Sequence, residues 1–354
     1  KEVFHVKKLH EKADLCAPKK QSPDCKAPMT DYKPLFWLQN HHLNTIIPNR
    51  FRTFPDHRYH RVRIPTPDGD FLHLDFTEPF RKVTGQTAII VHGLEGSSQS
   101  GYAKGLSRIL HDAGYTTVVL NLRSCGGVPN NKLQSYHSGK TDDLHTAVQY
   151  LIEQGASHIK ITGFSLGGNI ALKYAGEAGK NLPPQVKQIA AVSAPCDLHG
   201  SSKALSKPSN KIYLNRFLQS LKNKAIDKLN HFEPSFLDES KIRKATTFYE
   251  FDDAFTAPVH GFESAADCYT NCSSKTVLNE LKIPALVINA QDDSFLSESC
   301  YPRDEAENNP FLHVLTPQKG GHVGFTDRWP LRRAQWHERV ILYFFEKQTT
   351  PEKN

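Results

Sequence analysis

A chain of 354 residues with 38% hydrophobic and 23% charged side chains has an ordinary globular make-up and is long enough for one large core. Its net charge of +7 comes from scattered lysines and arginines with no nucleic-acid motif beside them, so no nucleic-acid partner is expected. No apolar run approaches the roughly 18 residues of a membrane span, which leaves only peripheral membrane contact open.

Residues 1–28 are charged, broken by Pro18, Pro23 and Pro28, and lack periodicity. They read as a disordered extension, not as a signal peptide. Met29 is the only methionine, so the native start is expected there and residues 29–354 form the folded unit. The seven cysteines (16, 25, 125, 196, 268, 272, 300) are an odd, irregular set. Cys268 and Cys272 sit one helical turn apart without the two further ligands of a zinc site. Free thiols and a cytoplasmic setting are expected, with no metal and no cofactor.

From Tyr59 the pattern becomes regular. Residues 59–64 and 71–76 alternate around the turn Pro67-Asp68-Gly69-Asp70, as in a hairpin. Thr87–Val91 and Thr116–Leu120 are continuous apolar runs, expected for strands covered on both faces. Between them Tyr102, Leu106, Ile109 and Leu110 mark a helix, and a second helix starts near Thr141. Strand patterns return at Ile159, Ile189, Ala285 and Phe311, and a last helix is expected from about Pro330. Strands alternating with helices give an α/β class with a mainly parallel sheet. Residues from about 199 to 275 break this rhythm. They are helical and lysine-rich, with Tyr213, Phe217 and Leu221 on one stripe, and read as a cap above the strand ends.

The most informative stretch is Gly163-Phe164-Ser165-Leu166-Gly167, between an apolar strand pattern and a helix. Such a strand-to-helix turn holds a serine hydroxyl above the sheet and supplies a helix start for an oxyanion. Gly163 and Gly167 remove β-carbons where strand and helix pass closely. A serine nucleophile needs a base and an acid to orient it, in the order Ser, Asp, His for this architecture. Both Asp292 and Asp293 follow a late strand, and the Ala-x-x-Asp spacing favours Asp293. His322, in Gly320-Gly321-His322-Val323-Gly324, is the expected base; His313 lies in a strand pattern and reads as packing or surface. The backbone N–H groups of Leu166 and Leu94 are the expected oxyanion donors, Leu94 lying in His92-Gly93-Leu94-Glu95-Gly96. His137 and Asp142 fit an H-x4-D acyltransferase pattern, but bracing a loop and capping a helix is the better reading.

Six separated motifs occur in order: Asn40–Ile46, His92–Ser97, Asn121–Gly127, Ser135–Gly139, Gly163–Asn169 and Phe251–Ala257. Over residues 35–345 the chain resembles the YheT-like hydrolases, family four of the AB hydrolase superfamily, which also holds the ABHD-type lipases. The resemblance implies an α/β-hydrolase fold with an eight-stranded sheet. It further implies cleavage of lipid or short-chain carboxylic esters by Ser165, Asp293 and His322 through an acyl-enzyme. An acyltransferase would use the same three residues, and a non-catalytic binding protein would usually lack one. The chain departs from the family at Asn40-His41-His42-Leu43-Asn44-Thr45, where Asn-Pro-His-Leu-Gln-Thr is usual, and at Ser294, where proline follows the paired aspartates.

Overall fold

The hairpin β1 (Tyr59–Pro65) and β2 (Phe71–Thr77) pairs antiparallel from Tyr59 opposite Thr77 to Pro65 opposite Phe71. It forms one edge of an eight-stranded sheet in a computed structural model that describes residues 32–347. The proposed extension 1–28 and Met29 lie outside the described residues. β2 runs antiparallel to β4 (Thr116–Asn121). From β4 onward every pairing is parallel: β3 (Gln86–Val91), β5 (His158–Phe164), β6 (Val186–Val192), β7 (Ala285–Ile288) and β8 (Leu312–Leu315). The spatial order is β1-β2-β4-β3-β5-β6-β7-β8. β2 is buried along its whole length, so its polar alternates do not face water. Asp75 there is held by Arg61 at 2.7 Å and by Asn121 at 2.9 Å.

Register explains why these strands are apolar throughout. Ile89, Ile161, Ile189, Ala285 and Leu312 form one row across the sheet, and all belong to a single core cluster. Their neighbours Ile90, Ala190 and Leu286 point the other way into a second cluster. A period of two puts successive side chains on opposite faces, and both faces are covered. Helices α1 (His41–Phe51), α2 (Gly101–Asp112), α3 (Thr141–Glu153) and α4 (Leu166–Ala178) come before β6 in the chain. α3 and α4 cover the first face with Leu144, Val148, Ile170 and Leu172. α2 covers the second with Leu106 and Leu110.

Between β6 and β7 the chain is helical: α5 (Leu198–Leu205), α6 (Lys211–Phe232), α7 (Glu239–Lys244), α8 (Phe248–Phe251), α9 (Ala257–His260) and α10 (Ala265–Cys272). A π-helical turn, Asp252–Thr256, joins α8 to α9. This insertion has its own small core around Leu214, Leu218, Phe248 and Phe251. The stripe Tyr213–Phe217–Leu221 is only half buried, beside that core. Phe217 packs against that core beside Phe248, and both Tyr213 and Phe217 also reach Phe295, outside the insertion.

The last two helices are α11 (Arg303–Asn308) and α12 (Trp336–Glu346). α12 starts six residues later than the sequence suggests. The carbonyls of Leu331 and Arg333 accept from the side chains of Arg52 and Gln335, which brace residues 330–335 as an irregular lead-in before the helix. Gln335 and Glu338 close a capping box at the true start. The buried Arg52–Glu338 pair, 2.6 Å apart, then fastens the end of α1 to α12.

Candidate active site

β5 ends at Phe164 and α4 begins at Leu166, leaving Ser165 alone in the turn with φ 52° and ψ −122°. A left-handed, non-glycine conformation of this kind persists only where its surroundings impose it. The glycines are what permit it. A β-carbon on Gly163 would lie 2.1 Å from the Gly167 carbonyl oxygen, and one on Gly167 would lie 2.4 Å from that of Val91.

His322 arrives from the loop after β8. Its Nε2 lies 2.8 Å from the Ser165 hydroxyl, and its Nδ1 lies 2.8 Å from the Asp293 carboxylate. Asp293 is almost fully buried, and its other oxygen accepts the Phe295 N–H at 3.0 Å. Asp292 points elsewhere: it accepts the Gly321 N–H at 2.9 Å and faces Lys319. Burial pushes the Asp292 carboxyl above its usual range. The geometry therefore joins Asp293, not Asp292, to the histidine.

The His322 loop is held by residues far away in the chain. The His322 N–H donates to the Thr45 hydroxyl at 2.8 Å, and the Val323 N–H donates to the Ser193 hydroxyl at 2.9 Å. Asn44 accepts the Thr326 N–H. The Phe295 ring stacks on the His322 imidazole, 4.2 Å between centroids. Val323 and Phe325 in the loop, and Ser193 just past the end of β6 that braces it, all carry positive φ. These supports were not read from the sequence. The Asn40–Ile46 motif is the available signal: Thr45 stands where the family has threonine, and Asn44, in place of its glutamine, also grips the loop.

Ser165, His322, Leu94 and Leu166 line one cavity of about 840 Å3, counting the space at its mouth. Among the described residues neither the Leu94 nor the Leu166 N–H has a hydrogen-bond acceptor. The Leu94 loop is fixed by its neighbours. Gly93 donates to the Tyr102 hydroxyl at 3.1 Å, and Glu95 donates its N–H to Tyr136 at 3.0 Å. The Glu95 carboxylate accepts from Tyr136 and Lys224, which ties the loop to α6. Burial alone would raise the Glu95 carboxyl, but Lys224 and three hydrogen bonds hold it below its usual range.

The cavity wall is mostly apolar, with Leu198, Leu205, Leu221, Phe248 and Phe251 from the insertion. One acid interrupts it. The π-helical turn places Asp252 in the wall, where it accepts from Thr256 at 2.6 Å and Tyr269 at 2.7 Å. Burial pushes its carboxyl up to about 6. Sequence periodicity gives no hint of this, because a π-turn is invisible to a 3.6-residue pattern.

The H-x4-D pair does not meet. His137 is enclosed beside Cys272, 3.4 Å from its sulfur, and burial holds it neutral, well below the usual histidine range. Asp142 pairs with Lys140 at 2.6 Å on the surface. Cys268 and Cys272 are free thiols with sulfurs 3.8 Å apart, and His313 sits half-buried on β8.

The model of the alpha/beta hydrolase fold family matches residues 88–328. The chain is 33% identical to the Escherichia coli K12 protein named "Putative esterase YheT" over 314 residues, covering 88% of this chain and 92% of that one. The chain belongs to the α/β-hydrolase family. Within it, the mouse protein named "Phospholipase ABHD3" is 28% identical over 331 residues, covering 91% of this chain and 80% of that one. Among solved structures, a Pyrococcus furiosus esterase, Pf2001, shares the fold with a TM-score of 0.54 at 17% identity, covering 82% of this chain and 91% of that one. This α/β-hydrolase contains, among its described residues, no helix long and apolar enough to cross a membrane.

Proposed function

We propose that the chain hydrolyses carboxylic esters, with Ser165 as nucleophile, His322 as general base and Asp293 as the acid that orients it. The observation that carries this reading is the continuous pair of 2.8 Å contacts from Ser165 through His322 to Asp293, at the floor of an apolar cavity. The names of relatives, esterase and phospholipase, point to the same chemistry.

In this reading Ser165 Oγ attacks the ester carbonyl while His322 Nε2 takes its proton. Asp293 keeps the other ring nitrogen protonated and steadies the imidazolium. The Leu94 and Leu166 N–H groups bond the tetrahedral oxyanion. His322 returns the proton to the departing alcohol, leaving an acyl-serine. Water, deprotonated by the same histidine, then releases the acid. The apolar wall suits an acyl chain or other hydrocarbon portion, so lipid or short-chain acyl esters are the substrate class. The test is turnover of p-nitrophenyl esters of graded acyl length. The expected result is hydrolysis that varies with length and is lost in His322→Ala. Hydrolysis unchanged in that variant would overturn the reading.

A further inference from the structure

Helix α1 is built inside out. Its buried side carries Asn44, Thr45 and Pro48, while Leu43 and Ile46 face solvent. The buried polar side is explained by its grip on the His322 loop. The described fold covers this apolar side only in part, leaving Leu43 44% and Ile46 40% exposed. The apolar side continues into neighbouring segments. Phe36 is 86% exposed, and Trp37 packs edge-on against Trp329, itself 59% exposed. On the other flank His42 bonds Tyr213 at the start of α6, next to the exposed Ile212. An apolar surface spread over three segments is more than isolated exposed side chains.

The segments that carry this face are predominantly cationic, and Asp327 beside Trp329 is already paired with Arg339 at 2.5 Å. Residues 32–51, 203–226 and 328–333 contain no aspartate or glutamate, yet they hold Lys33, Arg50, Lys207, Lys211, Arg332 and Arg333 among other cations. The whole chain carries +7. Tryptophan, phenylalanine and leucine ringed by lysine and arginine is the composition that partitions into the headgroup layer of an acidic membrane.

We propose that the face formed by Phe36, Trp37, Leu43, Ile46, Ile212 and Trp329 docks on an anionic lipid bilayer. Docking would set α1, and through Thr45 the His322 loop, at the membrane surface where lipid esters reside. The choice of lipid esters as substrate rests on the ester-hydrolase reading; the docking itself does not.

The test is flotation of the full chain carrying Ser165→Ala, so that catalysis plays no part. Vesicles are either an equal mixture of phosphatidylglycerol and phosphatidylcholine or phosphatidylcholine alone. The chain is expected to float with the anionic vesicles, at least tenfold more than with the neutral ones. Phe36→Ser with Trp37→Ser, and separately Lys207→Glu with Lys211→Glu, should each cut the bound fraction severalfold while circular dichroism stays unchanged. Failure of the parent chain to float, or undiminished flotation of both variants, would overturn the proposal. So would a dimer in sedimentation that the same substitutions dissociate, with no vesicle binding, since the face would then belong to a second copy.

Discussion

The His322 backbone N–H donates to the Thr45 hydroxyl across 277 residues of sequence, so the first helix of the fold positions its last loop. Thr45 itself donates to the His41 carbonyl at 2.8 Å, which orients its lone pair towards the loop. In Thr45→Val the buried N–H loses its acceptor, a change of about 1–3 kcal/mol. Turnover should fall by roughly tenfold or more with KM little altered, because the base moves while the cavity does not. Thr45→Ser should restore most of it. Equal losses in both variants would show that the threonine methyl, not the hydroxyl, matters.

The two adjacent aspartates should differ sharply. Asp293→Asn presents an amide to His322 and favours the wrong ring tautomer, for which the serine-protease template gives a loss on the order of 10⁴ in turnover. Asp292→Asn touches only the Gly321 N–H and Lys319, and should cost far less. Steady-state rates of the two variants decide it, and the reverse ranking would hand the acid role to Asp292.

Stability should fall in acid, and His337 offers a way to see why. It is enclosed against Phe164 and Phe325, and neither of its ring nitrogens has a partner among the described residues. Burial lowers its pKa to about 4, with the charge of Arg52 adding to the effect and that of Glu338 opposing it. Between the ordinary histidine pKa of about 6.5 and this lower value the unfolded chain binds a proton that the folded one does not. Stability is therefore present above about 6.5 and is lost as pH falls towards 4. His337→Leu removes this loss, so its melting temperature relative to wild type should rise as pH is lowered from 7.5 to 5. A gap that stays constant would contradict the assignment. Asp252, raised to about 6, acts in the opposite direction and is unchanged in both proteins.

Much of this architecture was legible because its elements obey simple periods. The continuous apolar runs at 87–91, 116–120 and 285–288 became parallel strands, and Gly163 and Gly167 announced the turn at Ser165. What stayed hidden depends on contacts between distant segments. Neither the Thr45 bond to His322 nor the Arg52 bonds that brace the lead-in to α12 leave a local trace. The stripe Tyr213–Phe217–Leu221 was visible as a stripe, yet its half-buried position beside Phe295 follows from where the insertion folds back.

The most direct test is labelling of the native chain with a fluorophosphonate, read by mass spectrometry of the modified peptide. Only a serine with a positioned base and oxyanion donors reacts readily, and among the described serines Ser165 has both at hand. A single label on Ser165 is the expected result, with no label and no hydrolysis in folded Ser165→Ala. A label on another serine, or ester hydrolysis that survives Ser165→Ala, would contradict it.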